Sequence, residues 1–169
     1  LGEKEDDTRS LTEKILNSSN NSSNGNGDII VDGIDGIKVS FGKCCMPVYG
    51  DNIAGYISKG NGITIHRINC HNICDTNERI IKVDWNRKSD KKYLTNVLIY
   101  TEKKDNLLTD IIVKTSSMGI NVKSINTINN SDYNVFDLDL LVKDKEELDK
   151  YIILIEQTKG VNQVQRGNK

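Results

Sequence analysis

Both histidines and all four cysteines of the chain crowd into one stretch: Cys44, Cys45, His66, Cys70, His71 and Cys74. Thiolate sulfur and imidazole nitrogen are the donors with which zinc fills closed, four-coordinate structural sites. Cys44-Cys45 and the His66-x3-Cys70 step supply four such donors, with 20 residues between the pair and the step. Adjacent cysteines on a straight strand point to opposite faces. Both can ligate only if the chain turns there, and Met46-Pro47 with Gly50-Asp51 provides for a turn. The spacing therefore predicts a structural zinc held by Cys44, Cys45, His66 and Cys70. His71 and Cys74 could replace a ligand, or be extra polar residues on a short helix beginning near Cys70. The competing reading takes Cys44 or Cys45 as a small buried hydrophobe and His66 as a satisfied strand histidine.

Catalytic uses of the cluster fare worse. A catalytic zinc leaves one position open and wants a nearby Glu as general base, and no Glu lies between Cys44 and Cys74. A Cys44/His66 nucleophile and base pair is conceivable, but with further cysteines nearby shared ligation is the simpler use. No phosphate-cradling glycine loop with Lys and Ser/Thr, no HExxH and no HxE motif is present.

The elements that must position these residues follow from the patterning. IIVDGIDGIKVSF, NIAGYIS and GITIHRI read as short strands, with turns at Gly50-Asp51 and at Lys59-Gly60-Asn61-Gly62. This is a small β-rich module, and one of about 40 residues usually needs a metal, a disulfide or a partner to stay folded. The absence of a secretory signal argues for reducing surroundings, which favour a metal over disulfides. Upstream, Leu11, Ile15 and Leu16 give one short helix from Thr8 to Asn17, followed by the Ser/Asn/Gly tract SSNNSSNGNG, read as a flexible linker.

Downstream, YLTNVLIYT reads as a strand, Leu107, Leu108, Ile111, Ile112 and Thr115 as a helical stripe ending at Met118-Gly119, and NVKSINTI and YNVFDLDLLV as a hairpin. In the last of these the alternation is placed on Val135, Leu138 and Leu140 or their neighbours. Leu148, Ile152 and Ile155 give a helix from Lys145 to Gln157, and VNQVQR a final strand after Gly160. The order βαββαβ is a ferredoxin-like sandwich. The class is α+β: residues 1–28 a helix and linker, 29–80 the metal module, 81–92 a connector, and 93–169 the sandwich.

The net charge of −1 hides a local excess: over residues 36–71 Lys and Arg number 4 against 1 Asp and Glu. Such an excess suits an RNA-facing surface and also an ordinary solvated face. Apolar runs are far too short to span a membrane, for which about 18 residues are needed.

The run GKCCMPVYGDNIAGYISKGNGITIHRINCHN closely resembles the C-terminal zinc-finger domain, also called RIS, of long RelA/SpoT enzymes, which synthesise and hydrolyse guanosine tetraphosphate. The family's metal positions map onto Cys44, Cys45, His66 and Cys70. Two residues depart from the family pattern: Tyr49 stands where it has proline, and Asn61 where it has a loop arginine. RNA contact would then fall to Lys43, Lys59 and Arg67. Residues from about 93 to 167 resemble the family's terminal ACT domain, with Asn106 for the usual glycine in TEKKDNLLTDI; the turn Asp105, Asn106, Leu107, Leu108 is where some ACT domains bind an amino acid.

The resemblance implies a regulatory module of a stringent-response GTP pyrophosphokinase or ppGpp hydrolase. The fragment itself would be non-catalytic and cytoplasmic. Its implied partners are the ribosome and tRNA, catalytic domains upstream in cis, and a second copy through the ACT domain, with no membrane or DNA. Amino-acid sensing or dimerisation by the ACT domain is the alternative role.

Overall fold

The computed structural model describes residues 27–31, 36–60, 62–73, 77–86 and 89–168. The helix expected from Thr8 to Asn17, nearly all of the linker, Asn61 and Cys74 lie outside the described residues. The chain divides into two compact units, one of residues up to 42 together with 52–89, the other of 43–51 together with 90–169.

Among the described residues the first unit holds six short strands, β1 Ile29–Val31, β2 Val39–Phe41, β3 Ile53–Ser58, β4 Gly62–Arg67, β5 Ile80–Ile81 and β6 Val83–Trp85. β3 and β4 form an antiparallel hairpin from Ile53↔Arg67 to Ser58↔Gly62, β2 joins β4 in parallel and β5 joins β3, in the order β2-β4-β3-β5. β1 and β6 pair as a separate ribbon. The expected strands are all present. Residues 80–85, around the start of the expected connector, instead return as β5 and β6, because Val83 is needed in the core. That core is β-branched and small: Ile29, Val31, Ile37, Ile63, Ile65 and Val83, with Phe41 stacked on Trp85 at 5.7 Å beside it. Where a short helix was expected near Cys70, the described residues 71–73 are a turn in which the Ile73 N–H donates to the Cys70 carbonyl.

The parallel β2–β4 pairing depends on Gly62. Its φ is +82°, and a Cβ there would stand 2.2 Å from the Lys38 carbonyl oxygen. That carbonyl accepts the Ile63 N–H at 2.9 Å, the bond that starts the pairing.

In the second unit, β7 Tyr93–Glu102, α1 Leu107–Ser117, β8 Asn121–Asn129, β9 Tyr133–Val142, α2 Lys145–Glu156 and β10 Val161–Arg166 follow in the expected βαββαβ order. The sheet is antiparallel with order β10-β7-β9-β8. Thr95, Val97, Ile99 and Thr101 alternate onto its buried face, and Leu107, Ile111 and Thr115 of α1 and Leu148, Tyr151 and Ile155 of α2 are buried as well. Asp144 caps α2 by accepting the Glu147 N–H at 2.8 Å, and the Glu147 carboxylate accepts the Lys143 N–H at 2.7 Å, so both ends of the first turn are satisfied. Gly119, at φ +70°, closes α1 in the left-handed conformation.

Two details differ from the sequence reading. On β9 the core parity is Phe136, Leu138, Leu140 and Val142; Val135 lies on the other face, opposite Tyr100 and Ile128. On α2 the buried position is Tyr151, with Ile152 only half-buried.

Candidate metal centre

His66 sits at the penultimate position of β4, and the Cys70 N–H donates to the Arg67 carbonyl, so one tight turn carries Cys70 back beside it. Gly42 makes room for the imidazole: a Cβ at that position would lie 2.7 Å from both Nδ1 and Cε1 of His66. Burial lowers the His66 pKa below its ordinary value, which favours the neutral ring that a metal binds.

Cys44 and Cys45 lie in the loop 43–51, and the turn their adjacency demands is made by Met46. Its φ is +44°, a left-handed conformation in a residue that is not glycine and that precedes proline. The donor atoms of Cys44, Cys45, His66 and Cys70 all lie within 4.8 Å of one another. In a tetrahedral zinc site with Zn–S near 2.3 Å the donors stand about 3.8 Å apart, a separation inside that bound. Cys44, Cys45 and Cys70 are thiols rather than disulfides. Three sulfurs and one imidazole, all but Cys44 buried, suit a closed structural site and fit a metal ion of the zinc type.

The remaining sequence candidates do not converge. Lys43 and Lys59 are exposed, Arg67 is half-buried at the end of β4, and His71 is exposed. At the ACT turn Asp105 and Asn106 are exposed, Leu108 is half-buried and Leu107 is buried. Asn106 takes φ +64°, the left-handed conformation expected of a glycine substitute, and makes no side-chain cap hydrogen bond. The residue that sequence reasoning missed is Arg166. It forms a part-buried ion pair with Asp51 at 2.6 Å, and nothing in the local pattern of either residue pointed to the other.

With this geometry in hand, residues 29–86 match the family described as the RelA/SpoT RIS domain, and residues 89–166 the ACT domain. The GTP pyrophosphokinase of Myxococcus xanthus is 32% identical over 92% of this chain and 20% of its own length. The bifunctional (p)ppGpp synthase/hydrolase SpoT of Escherichia coli K12 is 28% identical over 60% of this chain and 15% of its own length. The crystal structure of the ACT domain from the GTP pyrophosphokinase of Chlorobium tepidum covers 44% of this chain and 97% of that one, with 21% identity and a TM-score of 0.41. Fold and matches together define a RIS domain followed by an ACT domain. The two domain matches and the relatives are consistent with the C-terminal region of a RelA/SpoT protein. It spans about a fifth of the length of the relative from Myxococcus xanthus. Among the described residues, no helix is long and apolar enough to cross a membrane.

Proposed function

We propose that this chain is a regulatory, non-catalytic module of a cytoplasmic stringent-response protein that makes or hydrolyses guanosine tetraphosphate. It contacts the ribosome and tRNA and controls catalytic domains elsewhere in the same protein. The observation that carries this reading is the near-continuous run of RIS and then ACT matches across residues 29–166 of this chain, together with relatives named GTP pyrophosphokinase or SpoT.

In this reading Cys44, Cys45, His66 and Cys70 hold a structural zinc, which couples metal binding to folding of the small module. Lys43, Lys59 and Arg67 act on RNA as phosphate-directed charges that give attraction without sequence readout. The test is binding of the chain to ribosomes carrying uncharged tRNA across a salt series. Binding is expected to weaken steeply with salt, and Lys43→Ala with Lys59→Ala to reduce the log–log slope by about one each. Salt-independent binding, or none, would count against the reading.

A second reading, self-association through the ACT domain, is favoured by β8. It is an edge strand exposed along nearly its whole length, with Ile125 and Ile128 among the exposed large apolar residues. A concentration-dependent mass would support it, and binding of a branched-chain amino acid would favour a sensing role instead.

A further inference from the structure

The loop that carries the adjacent cysteines is gripped by the last residue of β10. Arg166 meets the Asp51 carboxylate with both ends of its fork, Nη1 to Oδ1 at 2.6 Å and Nη2 to Oδ2 at 2.9 Å, and Nη2 also donates to the Met46 carbonyl at 3.1 Å. Asp51 in turn accepts the Val48 N–H at 2.8 Å and donates its own N–H to the Val48 carbonyl at 3.0 Å. One guanidinium thus ties both ends of the segment from Met46 to Asp51. Met46 needs such a tie, because a left-handed residue before proline persists only where its surroundings hold it. A lysine could not do the same, since a point charge lacks the planar fork that spans the carboxylate and the carbonyl.

We propose that Arg166 is the positioning residue of the thiol pair: its grip on Asp51 and the Met46 carbonyl holds the turn that aims Cys44 and Cys45 at the metal position before any metal arrives. This rests on the reading of the cluster as a metal site. Ligands already in place bind more tightly than ligands that must be ordered, so metal affinity is set partly by the final strand of the ACT domain, which supplies no ligand.

The experiment uses the full 169-residue chain and the variants Asp51→Asn and Arg166→Lys, each shown by its amide spectrum to keep the ACT strands folded. Zinc affinity is read by competition with a chromophoric chelator. Alkylation rates of Cys44, Cys45 and Cys70 are mapped by mass spectrometry in metal-free protein. Affinity is expected to fall about 10- to 100-fold, the usual cost of losing a group that orients ligands. Alkylation is expected to speed up at Cys44 and Cys45 but not at Cys70. Unchanged rates at Cys44 and Cys45 in the folded variants would overturn the proposal, and so would an equal increase at all three thiols, which would mean general loosening. A wild-type chain that takes up no zinc would refute the metal reading, leaving the alkylation rates to decide the positioning role alone.

Discussion

The Asp51 side chain is almost fully enclosed and that of Arg166 largely covered, so the carboxylate left without its partner is poorly reached by water. Breaking one side of such a pair typically costs about 3–5 kcal/mol, much more than an exposed pair is worth. Chemical denaturation should show Arg166→Ala destabilised by about that amount, with the double variant Arg166→Ala/Asp51→Asn less destabilised than the two single losses summed. A second buried contact has its own signature. The Thr115 hydroxyl lies 2.7 Å from the Ile111 carbonyl and 3.0 Å from the Tyr151 hydroxyl, with which it shares a buried hydrogen bond. Burial pushes the Tyr151 phenol above its ordinary value near 10, with the hydrogen bond to Thr115 acting in the opposite sense. A raised folded pKa means the unfolded chain ionises first. The stability linked to Tyr151 is therefore complete below about pH 10 and declines as pH rises from there through the folded value. Tyr151→Phe should cost about 1 kcal/mol at neutral pH and flatten that alkaline decline, read by urea denaturation across pH.

Among the elements, the β2–β4 pairing of the first unit depends on a backbone position, Gly62. Any Cβ at Gly62 meets the Lys38 carbonyl oxygen, and φ +82° is strained for an L-residue besides. Gly62→Ala should therefore cost more than the roughly 1 kcal/mol of a helix glycine, and hydrogen exchange should reveal the loss first in β2 and the start of β4. How far the elements could be read from sequence depended on pattern length. The ten residues of β7 are rich in β formers and the eleven of α1 carry a clear helical repeat, so the type and order of both were legible. The two- and three-residue strands β5 and β6 carry too few residues for any period to show. On β9 apolar residues occupy both faces, so the sequence left open whether Val135 or its neighbour Phe136 shares a face with Leu138 and Leu140, and register against β7 resolves it. On α2 Tyr151 and Ile152 are adjacent apolar candidates for one stripe, and the bond to Thr115 decides for the tyrosine.

At the scale of the molecule, the metal cluster was legible because its chemistry is confined to rare residue types at ligand spacing, and the structure brings those same four residues together. The Arg166–Asp51 pair was not, because 115 positions separate two ordinary charged residues and no local rule connects them. In the proposed reading a metal completes the small first unit, whose core cluster of Ile29, Val31, Ile37, Ile63, Ile65 and Val83 is β-branched throughout. Elemental analysis of the chain purified without chelator, beside Cys44→Ser and His66→Ala, tests this most directly. The account predicts about one zinc per wild-type chain, lost in both variants together with ordered structure in residues 38–73. A wild-type chain without metal whose RIS strands remain as well ordered as before, and which the two substitutions leave undisturbed, would contradict it.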